Sequence, residues 1–115
     1  MHVLIVTSDT IPGYRIKEVK GFVWGTTVRA KSVGKDLIAL GRTIVGGEVV
    51  EYTNMINEAR KYVLERLARN ARSIGANAVV SMRMGTAQII PGTIEIFAYG
   101  TAVVVEEEKK KGRKK

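Results

Sequence analysis

The spacing of apolar residues between Met55 and Ile74 limits this chain more than any other feature. Met55, Ile56, Ala59, Tyr62, Val63, Leu67, Ala71 and Ile74 recur at three- and four-residue steps, the repeat of one buried stripe on an α-helix. Glu58, Arg60, Lys61, Glu65, Arg66, Arg69 and Arg72 fill most of the other face. Thr53 stands where an N-cap belongs, and Gly75 where a left-handed C-terminal cap belongs. A helix of some 22 residues is a rod of roughly 33 Å, long for a 115-residue chain that has room for one domain.

Around the helix the period changes to that of strands. Residues 3–8 read as a short first strand, and Asp9, Pro12 and Gly13 mark a turn. Residues 14–30 read as extended structure interrupted by Gly21 and Gly25, where glycine signals a bulge or a close backbone approach. Residues 31–45 carry apolar positions at mixed spacing, compatible with a short helix after Gly34 that Gly46-Gly47 ends. Beyond Gly75, residues 78–82 start a strand, Pro91-Gly92 turns the chain, and residues 93–105 form another strand with Gly100 as a bulge.

The run Ala102-Val103-Val104-Val105 is apolar on both sides of the pleat. One long helix covers one side of a three- or four-stranded sheet, and the chain has no second long helix for the other. Buried apolar surface is worth roughly 25 cal/mol per Å², so a wet second face forfeits several kcal/mol and invites aggregation. The pattern therefore predicts a homo-oligomer. Residues 106–115, three glutamates followed by a lysine-rich run, have nothing to bury and are expected to be disordered. The expected division is a domain over residues 1–105 and a charged tail over 106–115.

Composition narrows the function classes. The chain has no cysteine, which removes disulfides, thiolate nucleophiles and cysteine-based metal sites. Val3-Leu4-Ile5-Val6 is too short for a signal-peptide core, lacks a basic flank and is followed by Asp9, so the expected location is the cytoplasm, with no membrane partner. Of the net charge of +8, residues 106–115 supply +3 and the remaining 105 residues +5. Such a balance attracts nucleic acid, or merely keeps a surface solvated.

The motif Ile11-Pro12-Gly13-Tyr14-Arg15-Ile16 followed by Gly21-Phe22-Val23-Trp24-Gly25 resembles the opening of the YbjQ-type family of uncharacterised small proteins. Asp36-Leu37-Ile38-Ala39-Leu40-Gly41-Arg42-Thr43-Ile44-Val45-Gly46-Gly47 resembles its most specific segment, in which an acid, an arginine and a double glycine precede the long helix. Tyr52, Ala59 and Arg60, then Gly75-Ala76-Asn77-Ala78-Val79-Val80, and Gly100-Thr101-Ala102-Val103 complete the likeness. The resemblance implies an α+β subunit, dodecin-like, with one long helix on an antiparallel sheet of three to four strands. It also implies assembly into a ring, a pentamer, and it brings a label of heavy-metal binding with no enzymatic activity. The chain departs from the pattern at Asn77, where the family often has aspartate, and on the last hairpin, where Glu95 is the remaining acid.

The candidate ligand-binding residues are Asp36, Arg42, Gly46, Gly47 and Tyr52. A soft metal wants thiolates and imidazoles, and the chain offers only His2 and the thioethers of Met55, Met82 and Met84. Met82 and Met84 would share one strand face, where packing is the ordinary role of methionine. A carboxylate site built from Asp36, Glu48 or Glu51 at a subunit junction fits the composition better. Gly41 to Gly47 lacks the Lys-Ser/Thr of a phosphate loop, because Glu48 and Val49 follow. Amides ahead of a helix, assisted by Arg42, could still hold an anion. Asp36 and Arg42, six residues apart, do not meet on one helix and are expected to pair between subunits or to brace the glycine turn.

Ser8, Ser32, Ser73 and Ser81 lack a base nearby in sequence, and acid pairs such as Asp36 with Glu48 or Glu51 are a weak signal. The expectation is no enzyme. Trp24 and Tyr14, Tyr52, Tyr62 and Tyr99 could stack on a base or a flat cofactor, but the neighbours of Trp24 favour core or interface packing. The resulting reading is a homo-oligomeric binding or scaffold protein with a metal ion or small ligand between subunits. The alternative is a nucleic-acid-associated protein that uses the basic helix face and the lysine-rich tail.

Overall fold

The computed structural model describes residues 2–30, 44–45 and 48–109, with side chains described for 2–29 and 53–109. Strands β1 (Leu4–Ile5) and β2 (Tyr14–Ala30) are followed by a small hairpin, β3 (Ile44–Val45) and β4 (Glu48–Val49). Helix α1 (Val50–Ser73) then leads to the long hairpin β5 (Ala78–Ile90) and β6 (Thr93–Glu107). The main sheet has the order β1-β5-β6-β2, and β3-β4 forms a separate two-stranded sheet.

The helix obeys its apolar repeat. Ala59, Val63, Leu67 and Ala71 are fully buried against Val23, Val79, Ile96, Ala98 and Ala102 of the sheet. It begins three residues before the expected cap at Thr53, running directly out of β4. The C-terminus matches the sequence. Gly75 has φ 89° and donates to the Arg72 carbonyl at 2.9 Å, while Ala76 donates to that of Ala71 at 3.0 Å, the paired bonds of a Schellman cap.

Side chains alternate across the sheet, giving it a helix side and an open side. Gly25 explains how closely the helix sits. A Cβ there would lie 2.7 Å from the carbonyl oxygen of Val63 and 2.9 Å from the nitrogen of Leu67, the two ends of one helical hydrogen bond. The other interrupting glycine, Gly21, has φ 136° at a register shift between Val19 and Gly21. Both readings of glycine within a strand are therefore realised in β2.

Several expectations change. The sheet is mixed rather than antiparallel: β1 runs parallel to β5, with Leu4 opposite Ala78 and Ile5 opposite Val79. Val3 sinks into the helix-side core and Ile11 into the opposite side, so the short N-terminal strand is held along the free edge of β5. The bulge expected at Gly100 belongs to the neighbouring strand, between Val80 and Arg83, where Ser81 takes φ 55°. Gly100 faces it because a Cβ would meet Val79 Cγ1 at 2.6 Å. Ile44 and Val45 form a strand rather than the end of a helix, with Val45 opposite Glu48; residues 31–43 lie outside the described residues. Strand β6 continues to Glu107, because Arg15 ion-pairs with Glu106 and the Glu108 amide donates to the Gly13 carbonyl at 2.9 Å. Residues 110–115 of the expected tail lie outside the described residues.

The most consequential change concerns the ribbon Ala102-Val103-Val104-Val105. Val103 and Val105 are buried on the open side with Ile11, Ala78 and Val80, flanked by Leu4, Val6 and Tyr14. The second face of this ribbon is covered by the chain's own N-terminal segment. Asn77 fastens the same region: its Nδ2 donates to the Val105 carbonyl at 3.0 Å and its Oδ1 accepts from the Val105 amide at 2.8 Å.

Gly25→Ala is expected to lower stability by about 1–3 kcal/mol, since helix backbone has to move; thermal unfolding measures it. Asn77→Asp loses the donor to Val105 and is expected to cost about 1–3 kcal/mol at neutral pH. Denaturant titration should show a smaller deficit below about pH 4, where a carboxyl regains a proton to donate.

Candidate functional site

Three surface features remain after the core is assigned. The first is the open side of the sheet beyond the N-terminal cover. Phe22 and Trp24 alternate on β2, and Phe97 and Tyr99 on β6, so all four project to one side. Their rings form a chain: Phe22–Trp24 centroids lie 5.4 Å apart, Phe22–Tyr99 6.0 Å and Phe97–Tyr99 6.4 Å. Phe97 lies across Gly85, where a Cβ would come within 2.7 Å of its ring. Trp24 is 57% exposed and Phe22 63%, with Val19 and Val28 also exposed on the same strand. Trp24 is thus outside the core, which removes core packing as its role. On this side Thr26 also donates to Glu95 Oε2 at 2.8 Å, which gives the remaining hairpin acid a structural partner.

The second feature is an apolar groove on the helix side, between the first half of α1 and the outer part of the β5–β6 hairpin. A volume of about 370 Å³ is lined by Met55, Ile56, Gln88 and Ile94 among others. An adjoining volume of about 250 Å³ lies against Arg60, Met84 and Ile96, and Thr86 lines both. Met82 packs against the main core, so the methionines serve core and groove. Along this groove the outer edge of β5 is paired over only part of its length among the described residues. Its first residues pair with β1, and Ser81 and Met82 donate to the carbonyls of Ser8 and Val6 at 2.8 and 3.0 Å. From Met84 to Ile90 no strand among the described residues pairs with its outer side.

The opposite edge is closed differently. Asn70 Nδ2 donates to the Trp24 carbonyl at 2.7 Å, and Arg66 Nη1 to that of Thr26 at 3.1 Å. Arg66 also donates to the Tyr62 hydroxyl at 2.6 Å and stacks on that ring, 4.6 Å from its centroid, with Arg29 at 5.6 Å. These helix side chains occupy outward carbonyls of β2 and blunt it against strand addition. Arg66, placed by sequence on a basic face, is thus engaged in holding the sheet edge. Arg60 donates to Asn57 Oδ1 at 3.1 Å, and Lys61 and Arg69 are exposed.

The candidate residues Asp36, Arg42, Gly46 and Gly47 lie outside the described residues. The backbone of Tyr52 belongs to the first turn of α1, and Glu48 to β4; their side chains, like that of Glu51, are outside the description. Among the described residues, no three histidine, cysteine, aspartate or glutamate side chains gather as metal ligands. No described helix is long and apolar enough to cross a membrane. Sequence reasoning missed the groove because its walls come from α1, β5 and β6 together. The aromatic face had a visible signal, the two-residue steps Phe22–Trp24 and Phe97–Tyr99.

Comparisons with known proteins agree with this architecture. A crystallised protein of unknown function from Pediococcus pentosaceus, assigned to the DUF74 family, superposes with a TM-score of 0.63 over 90% of this chain and 98% of its own, at 16% identity. It supports the fold alone. A UPF0145 protein of Pyrococcus abyssi is 54% identical over 108 residues, covering 94% of this chain and 95% of the relative. A Thermus thermophilus UPF0145 protein is 47% identical over 111 residues, with 96% and 97% covered. The family model described as "Putative heavy-metal-binding" matches residues 3–106. The chain therefore belongs to the YbjQ family, also called UPF0145, a family with no catalytic function indicated.

Proposed function

We propose that this chain is a non-catalytic binding or scaffold protein that works as a homo-oligomer, a ring of dodecin-like subunits and in the first instance a pentamer, holding a metal ion or small ligand between subunits. One observation carries the reading: the chain of rings Phe22, Trp24, Phe97 and Tyr99 on a sheet face that the chain's own helix and N-terminal segment leave uncovered. Contiguous aromatic surface of this kind marks an interaction face. Each large aromatic side chain removes on the order of 150–250 Å² from water, so covering three of them is worth several kcal/mol at roughly 25 cal/mol per Å².

The ligand half of the proposal rests on the family's description and on the acid–arginine–double-glycine segment Asp36 to Gly47 with Tyr52. With no cysteine and one histidine, His2, a soft-metal site finds few donors in one copy. Carboxylates drawn from several copies, with Asp36, Glu48 and Glu51 as candidates, suit a harder cation.

Trp24 is the sole tryptophan, so intrinsic fluorescence reads this face directly. Sedimentation at micromolar concentration is expected to show an assembly, and dilution to shift the emission to the red as Trp24 meets water. Trp24→Asp is expected to yield smaller particles with an unchanged circular dichroism spectrum. A stable monomeric wild type, or emission indifferent to dilution across dissociation, overturns the assembly through this face. Isothermal titration with divalent metals and small anions tests the ligand half; heat no greater than buffer mixing for every compound removes it.

A further inference from the structure

The groove beside α1 has mainly apolar walls, and a full positive charge stands at its inner end. Its outer volume of about 370 Å³ begins by Gly92 and Thr93 at the hairpin tip and is walled by Met55, Ile56 and Ile94. At Thr86 it meets the inner volume of about 250 Å³, where Arg60, Met84 and Ile96 take over the lining. The base of that inner part is firm, because Ile96 is fully buried in the main core. Along β5 the trough runs from Gln88 to Met84, roughly 13 Å at about 3.3 Å per residue. On the facing wall Ile56 and Arg60 stand about one helical turn apart on α1. An α-helix, about 10–12 Å across with its side chains, is too wide for such volumes. A small flexible molecule is not.

We propose that this groove binds a straight-chain carboxylate of the fatty-acid type, its chain lying between α1 and the β5–β6 hairpin and its carboxylate meeting Arg60. The walls suit the chain. Met55 and Met84 are unbranched and adaptable, so they can close around a flexible hydrocarbon, and each methylene taken out of water adds to the affinity. Arg60 suits the head group. A guanidinium stays charged and presents its N–H donors in a planar fork that matches a carboxylate with two parallel bonds. Arg60 is exposed, and its Nη1 donates to Asn57 Oδ1 at 3.1 Å, a neutral partner that steadies the side chain without cancelling its charge. A cationic head group would be repelled there, and an uncharged one would forgo the charge-assisted bonds. The groove is on the helix side of the sheet, away from the row of Phe22, Trp24 and Tyr99. Its walls come from one copy, so the inference goes beyond the inter-subunit reading and does not need it.

Isotope-labelled methionine methyl groups in the full chain read the site by nuclear magnetic resonance. The chain has four methionines, of which Met55 and Met84 line the groove and Met82 packs against the core. Decanoate below its micelle concentration is expected to shift the Met55 and Met84 methyl signals saturably and to leave the Trp24 indole signal in place. Arg60→Gln is expected to weaken decanoate about tenfold or more through loss of the charged fork. Decanol and decyltrimethylammonium are expected to bind the wild type at least about tenfold more weakly than decanoate. Thr86→Phe, which fills the junction of the two volumes, is expected to abolish the methyl shifts with circular dichroism unchanged. Should that variant fail to fold, Arg60→Gln decides alone. Unmoved Met55 and Met84 signals, equal affinity for the three head groups, or undiminished decanoate binding by Arg60→Gln overturns the inference. So does attachment to anionic phospholipid vesicles without binding of monomeric decanoate, which assigns the surface to a membrane. Sedimentation of the same samples reads the assembly separately, so either reading can fail while the other stands.

Discussion

The approach of α1 to β2 at Gly25 sets the geometry of everything else. Because no Cβ intervenes, the helix backbone at Val63 and Leu67 lies directly on the strand. That closeness buries Ala59, Val63, Leu67 and Ala71 completely. It also brings the next ring of helix side chains over the sheet edge, where Arg66 and Asn70 reach the carbonyls of Thr26 and Trp24. A larger residue at Gly25 would lift the helix, and both the core and the edge cover would loosen together.

Cover is distributed unevenly as a result. The helix takes one side of the sheet for most of its length. On the other side the N-terminal segment reaches only as far as Val80, Val103 and Val105. Beyond that point the pleat turns Phe22, Trp24 and Tyr99 to solvent. A soluble chain tolerates scattered exposed apolar residues, but a row of touching rings is a different matter. The same unevenness appears along the edges: β2 is capped by helix side chains, β5 by β1 for its first residues and then by nothing described. Open face and open edge are both on the hairpin half of the molecule.

Chemistry follows the same logic. The described side chains bring together hydrophobic and cationic groups, as at Tyr62 with Arg29 and Arg66, and no cluster of metal-ligating acids. The family-specific segment of acid, arginine and double glycine precedes the helix in the sequence.

The sequence alone determined the elements. A three- and four-residue apolar repeat admits one register for α1, Gly75 ends it, Pro91-Gly92 turns β5 into β6, and glycine inside β2 marks where backbone bends or helix presses. The helix starts ahead of the cap that Thr53 suggests, because nothing local in the sequence shows that β4 feeds straight into it. What only the tertiary structure decided is which apolar surface is covered and by what. Val103 and Val105 looked bare because their partners, Ile11, Leu4 and Val6, sit far away in sequence, and periodicity says nothing about contacts across such separations. The same holds for β1, whose parallel pairing with β5 needs most of the chain in between, and for Asn77, whose amide clasps Val105 only once both strands are in place. Local pattern fixes the period of a segment; long-range packing chooses its neighbour.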